Sequence, residues 1–244
     1  MRRPTYLALS LFLIGLVLPR DLFASENAAC HPALEPSEPH YVVGYGSLME
    51  AASKERSWRH AGVSLPVRVR GFERSWNARG RDIGFSTTFL GVEPKAAAQM
   101  VAALYRVYDH GDFAAGDARE DGYCRMLVAP SQVTMLDGSD VPDRGKIWIY
   151  VLNAERSHLP DARFPIVQSY VDIFLSGCIE LARLVVADDV DLLAACITTT
   201  RGWPGYWVND RIYPRRPFQQ PNATRIDEML HRMLPVQFEA IRIE

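Results

Sequence analysis

The sequence predicts an α+β fold, a small mixed β-barrel with flanking helices. Two observations carry it: six short β-rich runs separated by turn residues between Tyr41 and Leu152, and one long apolar stripe at helical spacing after them. Strands interrupted by few helices suit a closed or strongly curved sheet better than a doubly wound one, where the two alternate throughout.

In order, the runs are "YVVGY" from Tyr41, "VSLPVRVRGF" from Val63, "GFSTTFLGV" from Gly84, "MVAALYRVY" from Met100, "YCRMLV" from Tyr123 and "KIWIYVL" from Lys146. Helix formers follow the first run in "MEAASKERSWRH", and "GDFAAGDARED" is a short helical candidate. In "FPIVQSYVDIFLSGCIELARLV", Val167, Tyr170, Val171, Phe174, Cys178, Leu181, Ala182 and Val185 recur every three to four residues, which predicts one buried helix face. A second short helix is expected over Val190 to Ile197. The tail "RGWPGYWVNDRIYPRRPF" is aromatic and proline-rich, so irregular packing is expected there.

The N-terminus reads differently. Arg2-Arg3 precede an apolar stretch from Tyr6 to Leu18, and small residues follow up to Ala29, the three-part layout of an export signal. The stretch stops at Pro19-Arg20-Asp21, short of the ~20 apolar residues a retained span needs. "NAAC" ending at Cys30 has a partial likeness to a lipoprotein box, so a lipid anchor at Cys30 is a minor alternative to a periplasmic or secreted protein. "HPALEPSEPH" reads as a linker. The expected layout is an export signal over 1–30, a linker over 31–40, a domain over 41–185 and a helical, aromatic extension over 186–244.

Composition bounds the partners. A formal net charge of -2 argues against an electrostatic footprint for nucleic acid, and Arg215-Arg216 reads as solvated surface. The four cysteines, Cys30, Cys124, Cys178 and Cys196, form no metal-ligand spacing, so no metal site is expected. An exported protein permits disulfides, but Cys178 and Cys196 lie in apolar periodic segments and read as small buried hydrophobes.

The first strand runs into Gly44-Tyr45-Gly46-Ser47-Leu48. Glycines bracketing Tyr45 free the backbone, and a helix starting just after Ser47 would aim backbone N–H groups at an anion. An ordinary turn with Ser47 as helix cap fits the same residues.

At this turn the chain resembles a known family. "VVGYGSLM" is similar to the opening motif of the γ-glutamylcyclotransferase superfamily, whose loop holds the γ-glutamyl group of the substrate. "RGFERSWNARG", "TTFLGVEP" and "VAALYRV" resemble that family's following strands, including those of ChaC-type members. "DAREDGYCR" resembles the helix end that carries its catalytic glutamate. The resemblance spans roughly Tyr41 to Cys178 and implies a γ-glutamylcyclotransferase-like fold, Glu120 as the catalytic carboxylate, substrate binding by Gly44, Tyr45, Gly46, Ser47 and Leu48, and a substrate contact from Tyr170.

That chemistry is intramolecular. The α-amine of a γ-glutamyl peptide or amine attacks its own γ-carbonyl, forming 5-oxoproline and releasing the free amine, with no cofactor. A free α-amine has a pKa of about 7.7–8.0, so a positioned carboxylate is needed to take its proton and hand one to the leaving nitrogen. Asp117 and Asp121 flank Glu120 but sit outside the motif position. Tyr170 lies on the apolar stripe, where a tyrosine is equally well a core residue. Export puts glutathione itself in doubt as the substrate. Two other readings stay open: a non-catalytic binder of a small anion in the cell envelope, and a thiol hydrolase using Cys124 with His60 or His110. The sequence does not give the oligomeric state.

Overall fold

The computed structural model describes residues 30–80, 86–186, 190–203, 205–216 and 221–244. The expected export signal lies outside them, apart from Cys30. No helix among the described residues is long and apolar enough to cross a membrane.

The architecture is a large mixed sheet with flanking helices, the α+β class the strand runs predicted. Its strands are β1 (His40–Gly44), β2 (Leu65–Arg79), β3 (Thr88–Val107), β4 (Tyr123–Val128), β5 (Val133–Met135) and β6 (Lys146–Leu152), in the order β4-β6-β1-β3-β2-β5, with β8 (Thr200–Arg201) on β2. No pairing joins the two ends of this path among the described residues. The sheet nevertheless curls round its own interior, because one apolar cluster takes Val43 from β1, Val67 from β2, Leu104 from β3, Val128 from β4, Val133 from β5 and Ile149 from β6.

Alternation along the strands sorts the opposite face. Val42, Tyr105, Trp148 and Tyr150 point outward from their strands into a second cluster, with Trp58 and Phe113. The two runs expected at Gly84 and Met100 form a single strand, β3. They join across a register jump from Arg70↔Gln99 to Phe72↔Pro94, which bulges Lys95 to Ala98 out of the ladder.

The helices are α1 (Ala51–Glu55), α2 (Asp112–Arg119), α3 (Gln168–Ala182), α4 (Leu192–Thr198), α5 (Ala223–Met233) and α6 (Pro235–Glu239). The apolar stripe is α3, which packs Val171, Phe174 and Cys178 against Trp76 of β2 and Val101 of β3. The C-terminal extension is more ordered than its composition suggested. Trp207 in β9 (Trp207–Asn209) and Ile226 and Leu230 of α5 are buried in the same cluster, and β9 lies between β7 (Ile166–Val167) and β10 (Arg242–Ile243).

All four cysteines are paired, Cys30 with Cys124 and Cys178 with Cys196. Reading Cys178 and Cys196 as simple hydrophobes is therefore corrected: they are buried, but they also tie α3 to α4. Cys30 cannot carry a lipid while its sulfur bonds Cys124. That bond exists only in a chain that keeps Cys30, so a signal ending after residue 30 would remove it. Two disulfides are consistent with an exported protein.

Candidate active site

A cavity of about 350 Å³ opens beside the end of β1 and is lined by the turn residues Tyr45, Gly46, Ser47 and Leu48, by Glu120 and by Tyr170. Residues far apart in sequence thus meet at one place. Gly44 does not line the cavity; it closes β1 opposite Ala103.

The turn is not the start of a long helix. Ser47–Met49 makes one 3-10 turn, closed by Met49 N–H on Gly46 O at 3.0 Å, and the five-residue α1 follows with Glu50 as its cap. Ser47 caps nothing, and there is no extended helix dipole to attract an anion, which corrects the dipole argument. What remains is a set of backbone amides held in fixed directions. Three contacts hold them. The buried Arg74 guanidinium donates to Tyr45 O and Val101 O, both at 2.9 Å, while the Tyr45 hydroxyl donates to Tyr150 O at 2.7 Å. Tyr170 Oη lies 2.8 Å from where a Cβ at Gly46 would stand, so a side chain there would have to displace the Tyr170 hydroxyl. The Tyr170 hydroxyl thus stands beside the Gly46–Ser47 turn, on the same cavity wall as Ser47. Tyr170 is therefore both core and site: its ring packs on Trp76 and Phe89, and its hydroxyl meets the turn.

Glu120 is the residue on which α2 ends. Its N–H still bonds Gly116 O, and its carbonyl accepts Tyr123 N–H at 3.0 Å across a turn that needs Gly122 at φ +92. The sequence Glu-Asp-Gly-Tyr is thus a helix stop that turns the Glu120 side chain into the cavity. Burial pushes its carboxyl above the usual range, opposed by the charges of Arg119 and Arg216. Arg119 Nε is 3.4 Å from Glu120 Oε1. Its other donors tie the site together, reaching Ser53 O at 2.7 Å, Ser57 Oγ and Ser47 Oγ at 2.9 Å, and Ser53 Oγ at 3.2 Å.

The flanking acids separate clearly. Asp117 is held by Arg125 Nε at 2.9 Å and by the Tyr150 hydroxyl at 2.6 Å. Asp121 lines the cavity mouth, half exposed, 4.0 Å from Arg156. A thiol mechanism at Cys124 is excluded by its bond to Cys30. One group with metal-ligand spacing occurs among the described residues, His60, Asp109 and Asp112, outside the cavity lining. His60 N–H and Nδ1 already face the Asp112 carboxylate at 2.6 and 3.2 Å, which accounts for the cluster without an ion.

Among the cavity residues that escaped the sequence reading are two arginines whose charges act on Glu120. Arg119 had a local signal, since it precedes Glu120 on the same helix. Arg216 had none, and its reading as solvated surface is corrected: it lines the cavity, with its guanidinium 5.6 Å from the Phe89 ring centroid.

No family model matches the chain, and no curated protein matches it. Solved structures do. A γ-glutamyl cyclotransferase is 14% identical, with 63% of this chain and 92% of that one covered at a TM-score of 0.47. The chain is similar to γ-glutamyl cyclotransferase structures. An uncharacterized human protein is 13% identical over the same shares, with a TM-score of 0.48. A yeast γ-glutamyl cyclotransferase specific to glutathione is 14% identical, covering 67% of this chain and 96% of its own at 0.42. Identities this low say nothing of substrate or reaction.

Proposed function

We propose that the protein is a γ-glutamylcyclotransferase-like enzyme that cyclises a γ-glutamyl peptide or amine to 5-oxoproline. The observation that carries the reading is the half-buried Glu120 carboxyl sharing one cavity with the Gly46–Leu48 turn. Its raised proton affinity suits a group that must take a proton from an amine and give one back near neutral pH.

The substrate's γ-carbonyl faces the turn, and its α-amine faces Glu120. Glu120 takes a proton from the amine, whose nitrogen attacks the γ-carbon and forms the new ring C–N bond. The developing oxyanion is met by amides of the Tyr45–Leu48 turn. The original amide C–N bond then breaks as Glu120 returns a proton to the departing nitrogen. The products are 5-oxoproline and the free amine, and atoms and charge balance without a cofactor. Tyr170, whose hydroxyl stands beside Gly46 on the cavity wall, contacts the substrate. Orientation supplies much of the acceleration, since a well-held intramolecular nucleophile reaches effective molarities of about 10⁵–10⁸ M.

The test is incubation of the protein with a panel of γ-glutamyl amino acids, peptides and amines, with 5-oxoproline read by mass spectrometry. At least one member yields 5-oxoproline and the matching amine in equal amounts. No product from any of them would sink the reading and leave an anion-binding module of the same fold.

A further inference from the structure

Arg216 is the one cavity-lining residue that the segment after 186 contributes among the described residues. Its approach is built rather than incidental. The buried Asp210 carboxylate accepts Ser169 N–H at 2.8 Å, the Ser169 hydroxyl at 2.7 Å and Arg215 N–H at 2.7 Å. Arg216 N–H in turn donates to Ser169 Oγ at 3.1 Å. This pins segment 210–216 to the first turn of α3, one residue before Tyr170. The guanidinium then lies against Phe89, whose ring meets Tyr170 edge-on at 4.9 Å.

Charge makes the placement meaningful. Among the described residues, Arg79, Arg119, Arg156 and Arg216 line the cavity with two carboxylates, Glu120 and Asp121. Arg119 spends its donors on three serines and Glu120, as described above, and Arg79 and Arg156 face Asp161 and Asp121. An excess of cationic side chains around a small cavity favours an anionic ligand. Arg216 takes its place on the cavity wall through Phe89, which packs on Tyr170, so its guanidinium lines the same cavity as Glu120 and Tyr170.

We propose that Arg216 binds a carboxylate of the substrate, so that the C-terminal segment completes the substrate site rather than only packing over it. The proposal rests on reading the cavity as a γ-glutamyl site. That substrate offers two carboxylates, the α-carboxylate of the glutamyl head and, when an amino acid departs, the carboxylate of the leaving group. A guanidinium grips either through paired hydrogen bonds, and an amide in place of the carboxylate forfeits them.

The experiment compares wild type, Arg216→Ala and Arg216→Lys on γ-glutamyl-alanine, its α-carboxamide and its alaninamide counterpart, after thermal melts establish folding. Wild type is expected to lose about ten- to a hundredfold in kcat/KM on one of the two amidated compounds. Arg216→Ala loses that discrimination through KM, and Arg216→Lys recovers part of it. The compound affected identifies the carboxylate. Arg216→Ala discriminating as wild type does on both compounds overturns the proposal alone. Should wild type turn over none of the three, calorimetry with 5-oxoproline and L-glutamate separates the two readings. Binding at least tenfold weaker in Arg216→Ala then upholds the arginine site without the reaction, and equal or absent binding overturns it.

Discussion

Glu120 gathers opposing effects on one side chain. Burial favours the neutral carboxyl, while Arg119 and Arg216 favour the charged one, and burial wins. The unfolded chain titrates near 4.5, so below that pH both states hold the proton, and between 4.5 and the higher folded value only the folded state does. Stability attributable to this group is therefore complete at low pH and is lost as pH rises through the folded value. Each tenfold difference in proton affinity between the states amounts to about 1.4 kcal/mol. Glu120→Gln, which has no proton to lose, should gain stability relative to wild type on going from pH 4 to pH 7. Urea denaturation at the two pH values measures this, and a difference between the proteins that stays constant with pH would count against a buried, proton-holding Glu120.

The element that presents this side chain, α2, is short, and eight residues are too few to be stable alone. Its position comes from both ends. Phe113 near its start sits edge-on to Trp58, with ring centroids 5.0 Å apart. Past its end, Cys124 of β4 is bonded to Cys30, and the adjoining His31 lies 3.3 Å from Asp117 of α2. Arg125 Nη2 donates to Pro32 O at 2.9 Å, so the N-terminal segment runs as a strap across the base of α2. The bond closes a loop of 94 residues, long enough for a substantial entropic contribution. Replacing Cys30 and Cys124 with serine should cost about 2–4 kcal/mol in denaturant unfolding. Thiol titration of the unreduced, denatured protein should find no free sulfhydryl. Titration of free thiols, together with unchanged stability in the double serine variant, would contradict this arrangement.

At the scale of the molecule, a curled sheet supplies the turn, α2 supplies the helix end, and the C-terminal extension adds Arg216 to the lining. The parts legible in the sequence were those with a local signature. The β-branched run into Gly44-Tyr45-Gly46 marks a strand end, Glu120-Asp121-Gly122 marks a helix stop, and the stripe from Val167 marks α3. What stayed hidden depends on chain returning from a distance. Nothing near Arg74 announces that it will be fully buried, its proton affinity lowered to about 9 by burial and its donors taken by carbonyls and threonines from the turn, β3, α4 and β8. Cys178 and Cys196 look like ordinary apolar positions because their pairing is a matter of how two helices dock. Arg216 looks like surface because its partners, Phe89 and Ser169, lie far away in sequence. The length of the 3-10 turn was also out of reach, since Ser47 is equally compatible with a cap.

In the proposed reaction a single carboxylate, Glu120, moves the proton in this cavity. This claim is tested most directly by the initial rate of 5-oxoproline formation from the best γ-glutamyl substrate, compared between wild type and a folded Glu120→Gln variant. Removal of the general base predicts a rate about a hundredfold or more below wild type, with KM little changed. A Glu120→Gln protein that forms 5-oxoproline at the wild-type rate would contradict the claim outright.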